Sequence, residues 1–232
     1  GQVDALIIEG TTLSREDSAT KSEFQIQQDM LAQMERYKNI FVVCSSTNFD
    51  RLAGLYQDTQ QIFGRPFVCD KYQKRQLDTL RKYSGKHSWY YNVRNALPMS
   101  LNAKSLHKNM FERGFTMVVR NNANFRKWIG FIKEHIDLAE TLCIYSQYLG
   151  YLEKQPSLRE FVDSLGCEVE YIHTSGHASP EAIEEVCRTL NPRSAIIPMH
   201  KDATSDFHTL NLPDELKAKI IAADTAQLGI PI

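Results

Sequence analysis

Short apolar segments alternate along this chain with segments that have the 3.6-residue period of a helix, and this alternation restricts the fold more than any other feature. Several apolar segments are continuous, which predicts strands buried on both faces of a sheet. Regular succession of strand and helix predicts an α/β architecture with a largely parallel sheet. The predicted strands are 5–8, 40–44, 67–69, 116–119, 142–145, 169–172 and 195–198. The predicted helices are 21–37, 49–63, 72–83, 101–113, 124–135, 157–165 and 180–190.

The net charge of −1 conceals an uneven distribution of charged residues. Residues 64–133 contain 15 Lys and Arg against 3 Asp and Glu, whereas the rest of the chain contains 12 against 25. A basic block of this size attracts polyanions, and nucleic acid is the partner that it favours. A solvated surface that is merely basic is the alternative.

Bulk properties exclude several classes of protein. The chain has 232 residues, enough for one large or two modest domains. It has neither a long apolar run nor a signal peptide pattern, so we expect no membrane span and no secretion. Five cysteines, without C-x-x-C spacing, predict free thiols in a reducing, cytoplasmic compartment. Because the first residue is Gly rather than Met, we expect a processed, tagged or cut chain.

Two acids stand at the starts of predicted elements. Asp4 precedes strand 5–8, and a carboxylate at a sheet edge can coordinate a cation. Glu23 lies near the start of helix 21–37, where the helix dipole alone favours an acid. Taken singly, each acid also fits an inert, solvated position.

Histidines stand at the ends of two predicted strands. Residues 173–179, His-Thr-Ser-Gly-His-Ala-Ser, follow strand 169–172. The glycine permits close backbone approach and the turn presents N–H groups, so the segment suits a phosphate or a metal-bound water. His200 follows strand 195–198, and an imidazole at a strand end is a common metal ligand. One helix links the two strands, so adjacent strands would place His177 and His200 side by side.

The segment 45–51, Ser-Ser-Thr-Asn-Phe-Asp-Arg, links a predicted strand to a predicted helix. Hydroxyl and amide side chains at a helix N-terminus can bind phosphate, although capping of the helix explains most of them. Arg51 adds a cation that suits a phosphate ligand.

In chain order, segments 4–12, 45–51, 145–151, 173–179 and 198–200 resemble the β-CASP branch of the metallo-β-lactamase-fold nucleases, with Glu23 between the first two. The resemblance is to ribonuclease J-like proteins in particular and covers most of the chain. Its most specific part is the His-Thr-Ser-Gly-His-Ala-Ser segment followed by Ile-Pro-Met-His.

The resemblance implies an α/β fold in which residues 28–168 form a β-CASP domain, a parallel sheet flanked by helices. Residues 1–27 and 169–232 would be two partial segments of a metallo-β-lactamase αββα domain. The implied function is that of a zinc-dependent ribonuclease, a hydrolase that cleaves RNA phosphodiesters, with single-stranded RNA as its partner. The basic block would lie within the β-CASP insertion and grip the RNA.

The resemblance also implies roles for individual residues. Asp4 matches the aspartate that bridges two zinc ions, and His200 matches a ligand of the second metal. Glu23 matches an acidic motif of the active site, and His177 matches the histidine that donates a proton near the scissile phosphate. A histidine at position 200, rather than a valine, is typical of RNA-directed members. Positions that resemble phosphate-binding or RNA-binding ones are His173, Ser175, Gly176, Ser46, Asn48 and Arg51.

The sequence departs from the family pattern because it lacks the H-x-H-x-D-H motif. The resemblance implies two zinc ions in the full-length protein. Because the motif is missing here, we expect an absent or incomplete zinc site in this chain and an inactive fragment. Three alternatives stay open. They are an RNA-binding β-CASP module without catalysis, a metallo-hydrolase that acts on DNA or small phosphoesters, and a scaffold that forms homo-oligomers.

Overall fold

The structure, a computed structural model, describes residues 2–14, 21–85, 89–174 and 176–221. The chain divides into two compact units, unit 1 with residues 1–20 and 175–232 and unit 2 with residues 21–174. The strands are β1 Ala5–Glu9, β2 Asn39–Cys44, β3 Phe67–Cys69, β4 Leu97–Pro98, β5 Phe115–Val118, β6 Thr141–Ser146, β7 Glu168–Tyr171 and β8 Ala195–Met199. The α-helices are α1 Glu23–Arg36, α2 Phe49–Gln57, α3 Lys71–Tyr83, α4 Lys104–Arg113, α5 Ala123–Lys133, α6 Gly150–Lys154, α7 Pro156–Asp163, α8 Pro180–Leu190 and α9 Asp214–Lys217.

Unit 2 is built around a six-stranded sheet with the strand order β4-β3-β5-β2-β6-β7. Every neighbouring pair of strands in it is parallel. Asn39 of the central strand β2 pairs with Phe115 of β5 on one side and with Thr141 of β6 on the other. Parallel neighbours require crossover connections, which helices supply here. As a result, the segments that follow the strands all lie at one edge of the sheet.

Both faces of this sheet are covered. Ile40, Val42 and Cys44 of β2 face a core that includes α1, α2 and α3. Phe41 and Val43 face a second core that includes α4, α5 and α7. Successive side chains of a strand point to opposite faces, so a strand covered on both sides needs apolar residues throughout. This explains the continuous apolar runs of the sequence.

Side-chain caps fix the starts of several helices. Ser22 and Gln25 form a capping box at α1, in which Ser22 Oγ accepts from Gln25 N at 3.2 Å and Gln25 Oε1 accepts from Ser22 N at 2.8 Å. Asp70 caps α3 with its carboxylate, which accepts from Gln73 N at 2.7 Å. Ser179 caps α8, and Pro180 opens that helix. Each such cap stabilises its helix by about 1 kcal/mol.

Unit 1 contains the parallel pair β1 and β8, aligned so that Glu9 pairs with Met199. Its core includes Ile183 of α8 and Ile196 of β8, both fully buried. Ile7 of β1 points away from this core and is 63% exposed. The two strands therefore bury one face within unit 1.

The predicted α/β class, with parallel sheets flanked by helices, is confirmed, and each predicted strand and helix has a counterpart. The predicted domain borders at 27/28 and 168/169 fall inside α1 and β7, which both belong to unit 2. The compact unit extends a few residues beyond the predicted β-CASP domain because α1 packs into the sheet's core and β7 pairs with β6. Among the described residues, no helix is long and apolar enough to cross a membrane.

Asp58 is a buried acid that is only half satisfied. Its Oδ1 accepts from Gln27 Nε2 at 2.9 Å, while its buried Oδ2 has no hydrogen-bond partner among the described residues. Burial raises the pKa of the Asp58 carboxyl above its usual value of 3.8, although the Gln27 hydrogen bond opposes this effect. The native state therefore binds the proton more tightly than the unfolded chain does.

We expect Asp58→Asn to raise the free energy of unfolding by about 1 kcal/mol at pH 7, because the variant buries no charge. The stability that protonated Asp58 contributes is full below pH 3.8 and is lost as the pH rises through the raised folded pKa. The gain of the variant should therefore disappear in strong acid. Urea unfolding across a pH series measures this difference, with exposed Asp163→Asn as the control for removal of one charge. An equal gain at all pH values would contradict the assignment.

Candidate active site

Side chains at the carboxyl ends of β1 and β8 form a polar cluster in unit 1. Glu9 is the last residue of β1, and His200 follows the last residue of β8. Because the strands are parallel and paired, their carboxyl ends meet. His177 joins the pair from the segment that precedes α8. One ligand atom of each residue lies within 4.8 Å of the others.

Glu9 accepts hydrogen bonds at both carboxylate oxygens. Its Oε1 accepts from Ala178 N at 2.9 Å. Its Oε2 accepts from Thr11 Oγ1 at 2.9 Å and from His177 Nδ1 at 2.5 Å. Partial burial acts to raise the pKa of Glu9, but the bonds from Ala178 and Thr11 and the charge of His177 outweigh it and lower the pKa below 4.5. Glu9 is therefore ionised at neutral pH and acts as an acceptor.

The bond to Glu9 orients the imidazole of His177. A carboxylate can only accept, so His177 must donate through Nδ1. Chemistry at this ring is then expected at Nε2, the arrangement in which a carboxylate fixes the tautomer of a working histidine. The cluster thus contains a carboxylate–imidazole dyad.

His200 has an unusual backbone conformation. Its φ of 45° lies in the left-handed region, which non-glycine residues adopt rarely and at a cost of about 1 kcal/mol or more. The Thr11 hydroxyl, 2.8 Å from the His200 carbonyl oxygen, helps to hold it there. The ring of His200 lies 5.1 Å from that of His177, and its side chain is 72% exposed. The strained turn thus presents an accessible imidazole beside the dyad.

The residue types of this cluster fit a zinc ion, but the distances between them fit only Glu9 and His200. Two imidazoles and one carboxylate make up a ligand set that catalytic zinc sites use. His200 Nδ1 lies 4.0 Å from Glu9 Oε2, and two ligands of one zinc ion are at most roughly 4.2 Å apart. His177 Nδ1 and Glu9 Oε2, at 2.5 Å, are closer than the roughly 3.3 Å of two tetrahedral ligands. These two atoms therefore form a hydrogen bond, while His200 is the residue positioned to bind a metal.

Asp4, the predicted bridging ligand, lies at the other end of β1. Its Oδ1 accepts from Arg193 Nη1 at 2.8 Å, and its side chain is 64% exposed. Asp4 directly precedes the five-residue strand β1, and the parallel register places Asp4 beside Ser194 rather than His200. The structure does not bring Asp4 and His200 together. Glu9 is the carboxylate that lies beside His200.

Sequence reasoning did not select Glu9 as a site residue. A signal for it was present, because Glu9 ends an apolar strand just as His200 ends another. Only the pairing of β1 with β8 makes these two positions neighbours, and pairing across almost the whole chain is not encoded in any local pattern.

In unit 2, Arg51 organises a second polar cluster at the carboxyl edge of the sheet. Its side chain is 2% exposed. Nη2 donates to Glu23 Oε1 at 2.7 Å and Nε to Glu23 Oε2 at 3.2 Å. Nη1 donates to Ser146 Oγ at 2.9 Å and to His173 Nδ1 at 3.2 Å. Because arginine only donates, His173 must accept at Nδ1.

This burial corrects the expectation that Arg51 contacts the RNA backbone. A buried guanidinium that already serves three partners positions those partners instead. Glu23, predicted as a catalytic acid, forms its ion pair with Arg51 inside unit 2, whereas the acid that contacts His177 is Glu9.

The predicted phosphate contacts Asn48 and Ser46 also have structural partners in unit 2. Asn48 caps α2, and its Oδ1 accepts from Arg51 N at 3.3 Å. Ser46 Oγ accepts from Arg120 Nη1 at 3.1 Å. Arg120 is in turn ion-paired with Asp70. Ser46 and Arg120 line an open pocket of about 310 Å³ at the carboxyl edge, so both remain near a possible ligand space.

The predicted phosphate turn is divided between the two units. His173 belongs to unit 2, where it contacts Arg51, and His177 belongs to unit 1. Gly176 is exposed, and among the described residues no atom beyond its chain neighbours lies within 4 Å of where a Cβ would stand. Ser175, also predicted to bind phosphate, lies outside the described residues.

Residues 163–208 match the family model described as the Zn-dependent metallo-hydrolase RNA specificity domain. The matched segment contains β7, α8 and β8 together with His173, His177 and His200. The match supports the metallo-β-lactamase superfamily and indicates a Zn-dependent metallo-hydrolase with RNA specificity. Among curated proteins, no sequence matches this chain.

We expect Arg51→Lys to lower the free energy of unfolding of unit 2 by about 2 kcal/mol. Lysine keeps the charge but cannot serve Glu23, Ser146 and His173 with one planar group. Denaturant unfolding measures the loss, with the exposed Arg36→Lys as the matched control that should leave stability unchanged. Equal stability of both variants would show that the Arg51 hydrogen bonds contribute little.

Proposed function

We propose that this chain is part of a zinc-dependent hydrolase that cleaves RNA phosphodiesters. The observation that carries the proposal is the cluster of Glu9, His177 and His200 at the carboxyl ends of two paired parallel strands. Open α/β sheets commonly place their ligand sites at this edge. The family match, which includes both histidines, supports the same function.

The proposed roles follow from the hydrogen bonds. Glu9 fixes the ring of His177 through Nδ1, so His177 Nε2 delivers the proton to the leaving oxygen of the scissile phosphate. His200 would hold the zinc ion, with further ligands that the described part of unit 1 does not supply. When bound, zinc supplies Lewis-acid chemistry, which activates water and stabilises negative charge at phosphorus. Thr11 holds both Glu9 and the His200 backbone in place.

Two further observations support RNA as the substrate class. The basic block of residues 64–133 lies entirely within unit 2 and supplies the charge that phosphates attract. The matched family model is itself described by RNA specificity. We propose single-stranded RNA, because proteins stack on and hydrogen-bond to RNA bases chiefly where the strand is unpaired.

An RNA-binding module without catalysis is the second candidate. The cluster offers three donors within the described residues, fewer than two metal ions need.

The β1–β8 pair has an apolar surface, because Ile7 and Met199 are 63% and 54% exposed. That surface supports the proposal that unit 1 is a partial segment of a larger αββα domain, which would supply further ligands.

In the full-length protein, where further ligands would complete the site, we expect His200→Ala to lower the affinity for Zn²⁺ by more than the roughly 10–100-fold that loss of an outer partner costs. His177→Ala should cost less, because His177 orients and transfers a proton rather than binding the ion. Calorimetric titration with Zn²⁺ compares the variants, and His208→Ala, an exposed histidine of the same unit, is the control. Equal losses for His177→Ala and His200→Ala would make His177 a ligand and remove it as the proton donor.

We expect the chain to bind a single-stranded RNA oligonucleotide with an affinity that falls at least about tenfold between 50 and 200 mM salt, because phosphate contacts release counterions. Added Zn²⁺ should not change this binding. Fluorescence anisotropy measures it, with single-stranded DNA of the same sequence as the comparison. No binding at low salt would remove RNA as a partner, and tighter binding of DNA would favour the alternative of a DNA-directed hydrolase.

A further inference from the structure

Unit 2 carries a pocket of about 370 Å³ that none of the predicted site residues lines. Its volume is at the small end of the about 300–1,000 Å³ that is typical of ligand sites. The walls combine one exposed aromatic ring, one arginine and several side-chain amides. The lining includes Trp89, Arg94, Gln60, Gln61, Asn92 and Asn95.

Trp89 is presented on a fixed support. It opens a 3₁₀ turn, Trp89–Tyr91, and remains 69% exposed. Its only ring contact among the described residues is edge-on with Tyr90, at 5.8 Å and 87°. Tyr90 is anchored twice, because its carbonyl accepts from Gln57 Nε2 at 2.9 Å and its hydroxyl donates to the Asp50 carbonyl at 3.2 Å. A large exposed indole on an anchored turn is a ready stacking platform.

Gln60 and Gln61, two of the amide side chains, come from a π-helical turn, Asp58–Ile62, which continues α2. Such turns are rare and are often found at functional sites. Gln60 is held there by the bond from its Nε2 to the Arg65 carbonyl at 2.6 Å. Gln61 hydrogen-bonds Gln57 and remains exposed. The wider turn therefore places two neighbouring glutamines at the pocket.

Arg94 gives the pocket its charge. The side chain is exposed, and no carboxylate of the described residues lies within ion-pair distance of its guanidinium. No Asp or Glu lines the pocket. Lys74 lies close by, with its Nζ 3.5 Å from the Arg94 carbonyl oxygen. Lys74 is itself ion-paired with Asp78, so among the described residues Arg94 is the cation at this pocket that no acid neutralises.

We infer that this pocket binds a base of single-stranded RNA outside the Glu9–His177–His200 cluster. The base stacks on Trp89, the exposed amides of Asn92 and Asn95 face its polar edge, and Arg94 contacts the adjoining phosphate. Stacking on an aromatic ring beside a cation is how proteins hold unpaired nucleotides, and an apolar partner would leave Arg94 and the amides unpaired. The inference rests on the proposed function, since it takes RNA as the partner.

The test uses the complete chain and a labelled single-stranded RNA 12-mer of mixed sequence. Variants Trp89→Ala, Trp89→Phe and Arg94→Gln are compared with two controls outside the basic block. Phe24→Ala removes an aromatic ring of the same 69% exposure, and Lys154→Gln removes an exposed cation. Circular dichroism melting confirms that each variant is folded, which the exposure of these side chains favours.

We expect Trp89→Ala to weaken binding about fivefold or more, which is the lower limit for one stacked base. Trp89→Phe should recover part of the affinity, and Arg94→Gln should also reduce the salt dependence of binding. The controls should bind as the parent chain does. The chain has two tryptophans, so RNA should quench the fluorescence of the parent chain and fail to quench that of Trp89→Phe.

Wild-type binding that Trp89→Ala leaves unchanged would overturn this pocket and leave the proposed RNA function standing. Equal losses in Trp89→Ala and Phe24→Ala would also overturn it, because the effect would then not depend on this surface. No RNA binding by the parent chain would overturn both proposals together.

Discussion

Burial of a parallel sheet on both faces is the constraint on which unit 2 depends. A strand such as β2 has neighbours on each side and a helical layer above and below, so every side chain from Asn39 to Cys44 is buried. The helices that provide this cover also make the crossovers that parallel strands require. The same arrangement collects the segments that follow the strands at one edge. The topology alone therefore gathers polar residues at that edge, whether or not they have a function.

Arg51 is a buried cation at this edge, and its burial depends on its hydrogen-bond partners. A guanidinium with 2% of its side chain exposed is tolerated only because Glu23, Ser146 and His173 together satisfy it. One buried cation thereby joins the start of α1, the end of β6 and the segment after β7. Its role is to fix the positions of other groups. The RNA contacts that we propose for this unit therefore come from side chains with few hydrogen bonds, such as those around Trp89 and Arg94.

In unit 1 a few contacts fix the polar cluster of Glu9, His177 and His200. Glu9 is ionised and fully engaged, which gives His177 a defined orientation. His200 keeps an exposed ring on a strained backbone, and strain of this kind is retained where the surrounding structure and function require it. In the proposed function, one histidine therefore moves a proton and the other holds a metal ion. The two roles differ because only His177 is hydrogen-bonded to the carboxylate.

The sequence by itself determined the fold class, the order of strands and helices, the basic character of residues 64–133, and two of the three residues in the unit 1 cluster. These follow from local periodicity, composition and short motifs. The tertiary structure decided the rest. It placed Glu9, and not the predicted Asp4, beside His200, because the parallel register of β1 and β8 brings Glu9 to the end occupied by His200. It also buried Arg51, which the sequence had predicted to contact RNA and which instead holds its partners in position. Register and burial arise from contacts between distant segments, and no local pattern in the sequence records them.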